Sequence, residues 1–153
     1  MSIVLAAGKK VGKRVCLISV GRLGNSGEQV WKNLQGIYAP AIDFITLGPQ
    51  SPGDISALMQ RADFGVAASP WYLIGKSGSV MAMLDHGLPV IVTRIDFQPP
   101  ISSEHPDDPL LHRCDATLES KLVAGLPKRA PRSRVGDVTR KFLACLADSA
   151  TSP

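Results

Sequence analysis

Asp63-Phe64-Gly65-Val66-Ala67-Ala68-Ser69-Pro70, then Trp71-Tyr72-Leu73-Ile74-Gly75-Lys76-Ser77-Gly78-Ser79, then Val80-Met81-Ala82-Met83-Leu84-Asp85-His86-Gly87, then Leu88-Pro89-Val90-Ile91-Val92-Thr93: this stretch decides the fold. The run 63–69 is short and apolar and is stopped by Pro70, so it reads as a buried strand. Residues Trp71 to Lys76 read as a loop. Val80, Met81, Met83 and Leu84 recur at helical spacing, and Gly87 supplies the helix stop. Leu88 to Thr93 reads as the next strand. Strand, helix and strand follow one another with short connections, which is the signature of a parallel sheet with helical crossovers.

The same alternation extends upstream. Arg14 to Val20 predicts a strand ending at Gly21. The glycine-rich Gly21-Arg22-Leu23-Gly24-Asn25-Ser26-Gly27 predicts a loop, and Glu28 to Ile37 a helix through Val30, Trp31, Leu34 and Ile37. Asp43 to Gly48 predicts a strand, and Asp54 is a plausible cap for a helix through Ile55, Leu58, Met59 and Ala62. Residues 1–13 read as a lead-in or linker, leaving 14–150 as a single domain.

Downstream, Pro99, Pro100, Pro106 and Pro109 break the pattern, so about 97–108 reads as an irregular loop. Leu110 to Cys114 predicts a fifth strand and Thr117 to Ala124 a short helix. The basic, proline-containing stretch from Leu126 to Arg134 reads as extended, and Val138 to Leu146 as a terminal amphipathic helix. The expected fold is therefore α/β, a Rossmann-like three-layer sandwich around a parallel sheet.

Composition agrees with one globular core: 44% of the residues are hydrophobic and 20% charged over 153 residues. No run of apolar residues is long enough to span a bilayer. The opening Met1 to Gly8 lacks the basic leader and length of a signal segment. Cys16, Cys114 and Cys145 are widely spaced and odd in number, which indicates neither a zinc site nor a disulfide framework. Cys16 and Cys145 read as small buried hydrophobes, and the expected compartment is the cytoplasm. The net charge of +4 comes largely from Lys9-Lys10, Lys13-Arg14 and the stretch Lys128 to Lys141. Solvated surface plus one phosphate site accounts for it, and no RNA-recognition, zinc-finger or basic–aromatic pattern accompanies it. For the stretch 128–141, docking to another domain and docking to the inner face of a membrane both stay open.

Ligands of parallel α/β sheets bind at the carboxyl ends of the strands, where both glycine-rich loops fall. Gly75-Lys76-Ser77-Gly78-Ser79 is the stronger motif. Its glycines admit a close anion, the helix start presents amide donors, Ser77 and Ser79 add hydroxyls of which one can cap the helix, and Lys76 adds a charge. The plain alternative is a capped helix start with a solvated lysine. A P-loop does not fit, because the position five residues before Gly75 is Pro70. Gly21 and Arg22 form the weaker motif: Arg22 can reach a phosphate laid across the strand ends, although the loop departs from G-x-G-x-x-G. Trp71 and Tyr72 can stack on a base or sugar, or simply anchor the loop. His86 suits the negative end of its helix and reads as structural. No histidines have metal-ligand spacing, so no metal is expected.

Together, Ala62 to Pro70, the following glycine-containing loop, Val80 to Leu84 and Gly87 to Thr93 resemble the nucleotide-sugar-binding half of GT-B glycosyltransferases, the retaining group of glycogen and sucrose-phosphate synthases. Val20-Gly21-Arg22-Leu23 is similar to the "GRL" strand end of that group, and Phe44 to Gly48 to its next strand. The resemblance covers about residues 14–94. It implies transfer of a sugar from a nucleotide-diphosphate sugar, with no other cofactor, to an acceptor such as a glycan held by a separate N-terminal domain, which residues 1–13 do not supply. It implies that Arg22 contacts the diphosphate, with Lys76 in place of the family's lysine; the isolated domain is expected to be inactive, and no catalytic residue is assigned. The chain departs from the family at Ile74 and Ala82, where two glutamates are usual. Two other readings stand beside this one: a non-catalytic, transferase-like binding or assembly module, and a different α/β phosphate-binding enzyme such as a sugar epimerase half or a kinase-like protein.

Overall fold

The computed structural model describes residues 1–95, 108–133 and 135–150. Five strands and six helices follow in the order α1 (Ser2–Lys10), β1 (Val15–Val20), α2 (Gly24–Tyr38), β2 (Ile42–Gly48), α3 (Pro52–Arg61), β3 (Gly65–Pro70), a 3₁₀ helix (Trp71–Lys76), α4 (Gly78–Asp85), β4 (Val90–Arg94), β5 (Leu111–Arg113), α5 (Leu118–Ala124) and α6 (Val135–Ala150). The protein is α/β, and among the described residues every strand pair is parallel.

The hydrogen-bonded ladder comes in two pieces rather than one, ordered β1–β2 and β3–β4–β5. Between them lies a cleft of about 360 Å³, walled by Leu17, Ile18 and Val20 of β1, by Gly65 and Val66 of β3, and by side chains of α3 and α4. Successive strand residues point to opposite faces of a sheet. A cleft that touches Cys16, Leu17 and Ile18 on one side and Phe64, Gly65 and Val66 on the other therefore runs along two strand edges. Leu58, Met59, Phe64 and Met83 add bulky apolar side chains to its lining.

The core lies on the second piece. Ala67, Ile74, Val80, Leu84, Val90, Val92 and Leu110 are buried together, with Trp71, Met81, Met83 and Leu111 packed against them. β4 is its centre: Val90, Ile91 and Val92 are all buried, as expected of a strand paired on both sides and covered. The first piece is thinner. On α2 the Trp31 ring stands edge-on to Phe44, centroids 5.3 Å apart at 87°, yet Val30 and Ile37 remain 58% and 69% exposed. The predicted apolar stripe of this helix thus makes only a partial contact.

Several sequence expectations change here. Residues 1–13 contain the helix α1, which packs against α5, with Lys10 paired to Glu119 at 2.7 Å. The loop expected over 21–27 shortens to Gly21–Leu23, because Gly24 at φ +62° already opens α2. The 3₁₀ helix occupies the stretch read as a loop. Ser51, not Asp54, caps α3: its Oγ accepts from the Asp54 amide at 3.2 Å and donates to the Asp54 carboxylate at 2.6 Å. Cys16 and Cys145 are exposed, not buried, and the Cys16 edge of β1 lines the cleft. The irregular loop, His105 included, lies almost wholly outside the described residues.

The segment 128–132 is extended as expected, with Lys128 and Arg132 exposed as solvated surface, and it is also strapped to the body. Lys128 donates to the Ala62 carbonyl, the Arg129 amide to the Gly87 carbonyl at 3.2 Å, and the Arg132 amide to the Asp85 carbonyl at 2.6 Å. Its guanidinium links it further, since Arg129 pairs with Asp108 at 3.0 Å.

Candidate functional site

The chain runs from β1 to β2 on one side and then returns to build β3, β4 and β5 on the other. The change of direction falls between β1 and β3, at the cleft. That is the topological switch point, outside whose carboxyl end open α/β sheets hold their ligands. Val20, the last residue of β1, and Ser79, in the first turn of α4, both line the cleft. Of the candidate site residues only Ser79 lines the cleft; Gly21 and Arg22 follow Val20 directly, and Gly75, Lys76, Ser77 and Gly78 precede Ser79 without lining it.

On the β1 side, Gly21 has φ +87° and its amide donates to the Gly48 carbonyl at 2.7 Å. This ties the loop to the end of β2 and leaves Arg22 exposed just beyond it. A β-carbon at Gly21 would meet no neighbouring atom, so it is the left-handed backbone that favours glycine there. On the β3 side, the 3₁₀ helix carries Gly75 and an exposed Lys76 up to Ser77, the N-cap of α4 in extended conformation.

The Ser77 side chain does not cap α4. Its Oγ accepts from Ser69 Oγ at 3.2 Å and shares a second hydrogen bond of 3.2 Å with Ser79 Oγ. This corrects the expectation that one of the two serines caps the helix: the hydroxyls satisfy one another instead. The first amides of an α-helix have no partner within it, so Gly78, Ser79 and Val80 present donors beside three clustered hydroxyls and Lys76. A β-carbon at Gly78 would meet nothing within 4 Å, so the approach is open. Ser69 is the member of this cluster that the sequence pattern does not single out; it shows only once the strand end is folded beside the helix start.

Further along the same edge, Trp71 carries the Arg113 guanidinium on its ring, 4.4 Å from the centroid. That face of Trp71 is taken and does not offer itself to a base. Ile74 is fully buried in the core, so the side chain at this position points away from any ligand. His86 is structural, as expected: Nδ1 is 2.8 Å from the Ala82 carbonyl and Nε2 2.9 Å from Ser56 Oγ. His112 is buried on β5, and burial first, then the charge of Lys121, lower its pKa from 6.5. Among the described residues no group of acidic, histidine and cysteine side chains is placed to hold a metal ion. No helix among them is long and apolar enough to cross a membrane.

The chain matches no protein-family model, no curated protein sequence and no solved structure.

Proposed function

We propose that this domain binds the diphosphate of a nucleotide sugar at the mouth of the β1–β3 cleft and serves as the donor-binding half of a glycosyltransferase. One observation carries the reading: Val20, which leads directly into Gly21 and Arg22, and Ser79, in the first turn of α4, line one cleft between the two pieces of the parallel sheet. Arg22 and Lys76 would supply full charges, the backbone at Gly75 and Gly78 close approach, and the amides and hydroxyls around Ser77 and Ser79 directed donors. Such donors act on negative charge as it develops on a departing diphosphate. Catalytic groups and the acceptor would come from an N-terminal acceptor-binding domain. No protein-held metal or further cofactor is invoked.

A second reading is favoured by one specific finding. Ile74, which the family resemblance aligns with a glutamate near the donor sugar, is core, and Ala82 replaces the glutamate expected to hold the ribose. A binding or assembly module without transfer activity fits those two positions.

Calorimetric titration with UDP, GDP and ADP, each with and without an attached sugar, tests the first reading. One nucleotide should bind. Lys76→Ala and Ser77→Ala should each weaken it by about 1–3 kcal/mol, the scale of charge-assisted hydrogen bonds. Binding that is unaffected by both substitutions places the ligand elsewhere. Binding of the nucleotide with no preference for its sugar form favours the module.

A further inference from the structure

β3, β4 and β5 end on arginines and an aromatic ring that the sequence scatters and the sheet register gathers. Pro70 pairs with Arg94, and Val92 pairs with Arg113. Registered residues of neighbouring strands share a face, and so do residues two apart in one strand. Arg94 and Arg113 therefore sit on one face, one strand across and two residues along, with about 8 Å between Cα atoms. Trp71 follows Pro70 directly and holds the Arg113 guanidinium on its ring.

Two like charges set side by side on a sheet repel. Neither arginine is in an ion pair with a described residue: the ion pairs there involve Lys10, Arg14, Arg129, Arg132 and Arg140. Asp115, whose Oδ1 accepts from the Thr117 amide at 2.9 Å and hydroxyl at 2.6 Å, feels the Arg113 charge but forms no ion pair with it. Stacking on Trp71 fixes the Arg113 fork before any ligand arrives, so less freedom is lost on binding. Both guanidinium side chains are exposed at the carboxyl edge and present paired donors to an oxyanion.

We propose that Arg94 and Arg113 form a second oxyanion site, separate from the Ser77–Ser79 cluster, for a phosphate or carboxylate group. It stands whether or not the cleft binds a nucleotide, since none of its residues belongs to the cleft mouth.

The test uses Trp71 as a local reporter. In a Trp31→Phe chain it is the sole tryptophan, and its emission is followed as inorganic phosphate, acetate or chloride is added at constant ionic strength. Phosphate or acetate should shift the emission and chloride should not. A response to phosphate alone identifies a phosphate site, and a response to acetate as well identifies general oxyanion binding. Arg94→Gln, which leaves the stack intact, should weaken the response at least tenfold, while removal of an exposed lysine on α1, Lys9→Ala, should leave it unchanged. Phosphate ³¹P line broadening with the native-sequence chain and its Arg94→Gln variant gives the same comparison without the Trp31 substitution. Equal responses to all three anions, or an Arg94→Gln variant that responds like its parent, overturn the proposal.

Discussion

The carbonyl oxygen of Arg129 occupies the space that a β-carbon at Gly87 would need. Gly87 ends α4 at φ +70°, and its amide donates to the Leu84 carbonyl at 3.0 Å while its carbonyl accepts from Arg129. The basic strap thus closes over a helix end that only glycine leaves open, and it fixes the C-terminus of the helix whose N-terminus faces the cleft.

Gly87→Ala should therefore destabilise the protein by about 2 kcal/mol or more. A left-handed backbone costs an alanine about 1 kcal/mol, and displacement of the strap adds to it. Urea unfolding of the two chains measures the difference. A change below about 0.5 kcal/mol would show that the strap moves aside without cost.

Arg129 holds the strap through its side chain as well. Nη2 donates to the Leu84 carbonyl at 2.9 Å and pairs with Asp108 at 3.0 Å, where the carboxylate side chain is 9% exposed. Arg129→Ala removes a cation from beside a nearly buried carboxylate. Because Arg129 itself is about a third exposed, water screens part of the pair, and the expected loss is about 1–3 kcal/mol. Asp108→Asn removes the charge that Arg129 neutralises; added to Arg129→Ala it should restore part of the loss in the same unfolding experiment.

How legible all this was depends on what each feature rests on. Period and punctuation located β1, β2, β3, β4 and α4 to within a few residues, because Pro70, Gly87 and Gly48 act locally. They also placed both loops on the carboxyl edge. Helix α1 was not legible: Ile3 to Ala7 is short and ends in lysines, and its stability comes from α5, distant in sequence. The gap between β1 and β3 was not legible either, since nothing in either strand says which edges will pair. The Arg94–Arg113–Trp71 group exists only through register. That a hydroxyl of Ser77 or Ser79 can cap α4 is all the sequence says; the Ser69 hydroxyl that Ser77 meets instead comes from the fold.

Exposure of Cys16 and Cys145 gives a direct check on the cleft and on α6. A water-soluble thiol reagent should modify both in the folded protein, while the half-buried Cys114 reacts more slowly. Slow labelling of Cys16 alone would mean that the β1 edge is covered in solution. Cys16→Ser identifies which thiol reports.

His112 makes stability depend on pH with a defined sign. Burial, and secondarily the positive charge of Lys121, lower its folded-state pKa below the 6.5 it takes in the unfolded chain. Proton binding then favours the unfolded chain. The stability supplied by neutral His112 is complete above pH 6.5, falls away as pH drops below that value, and stops falling once pH passes beneath the folded-state pKa. Nε2 of this buried ring has no hydrogen-bond partner among the described residues, so nothing there holds a proton on it. His112→Leu cannot charge. Its stability relative to the wild-type chain, from urea unfolding at pH 7.5 and 5, should be more favourable at the lower pH. An equal difference at both values would show that the ring takes up its proton as easily folded as unfolded.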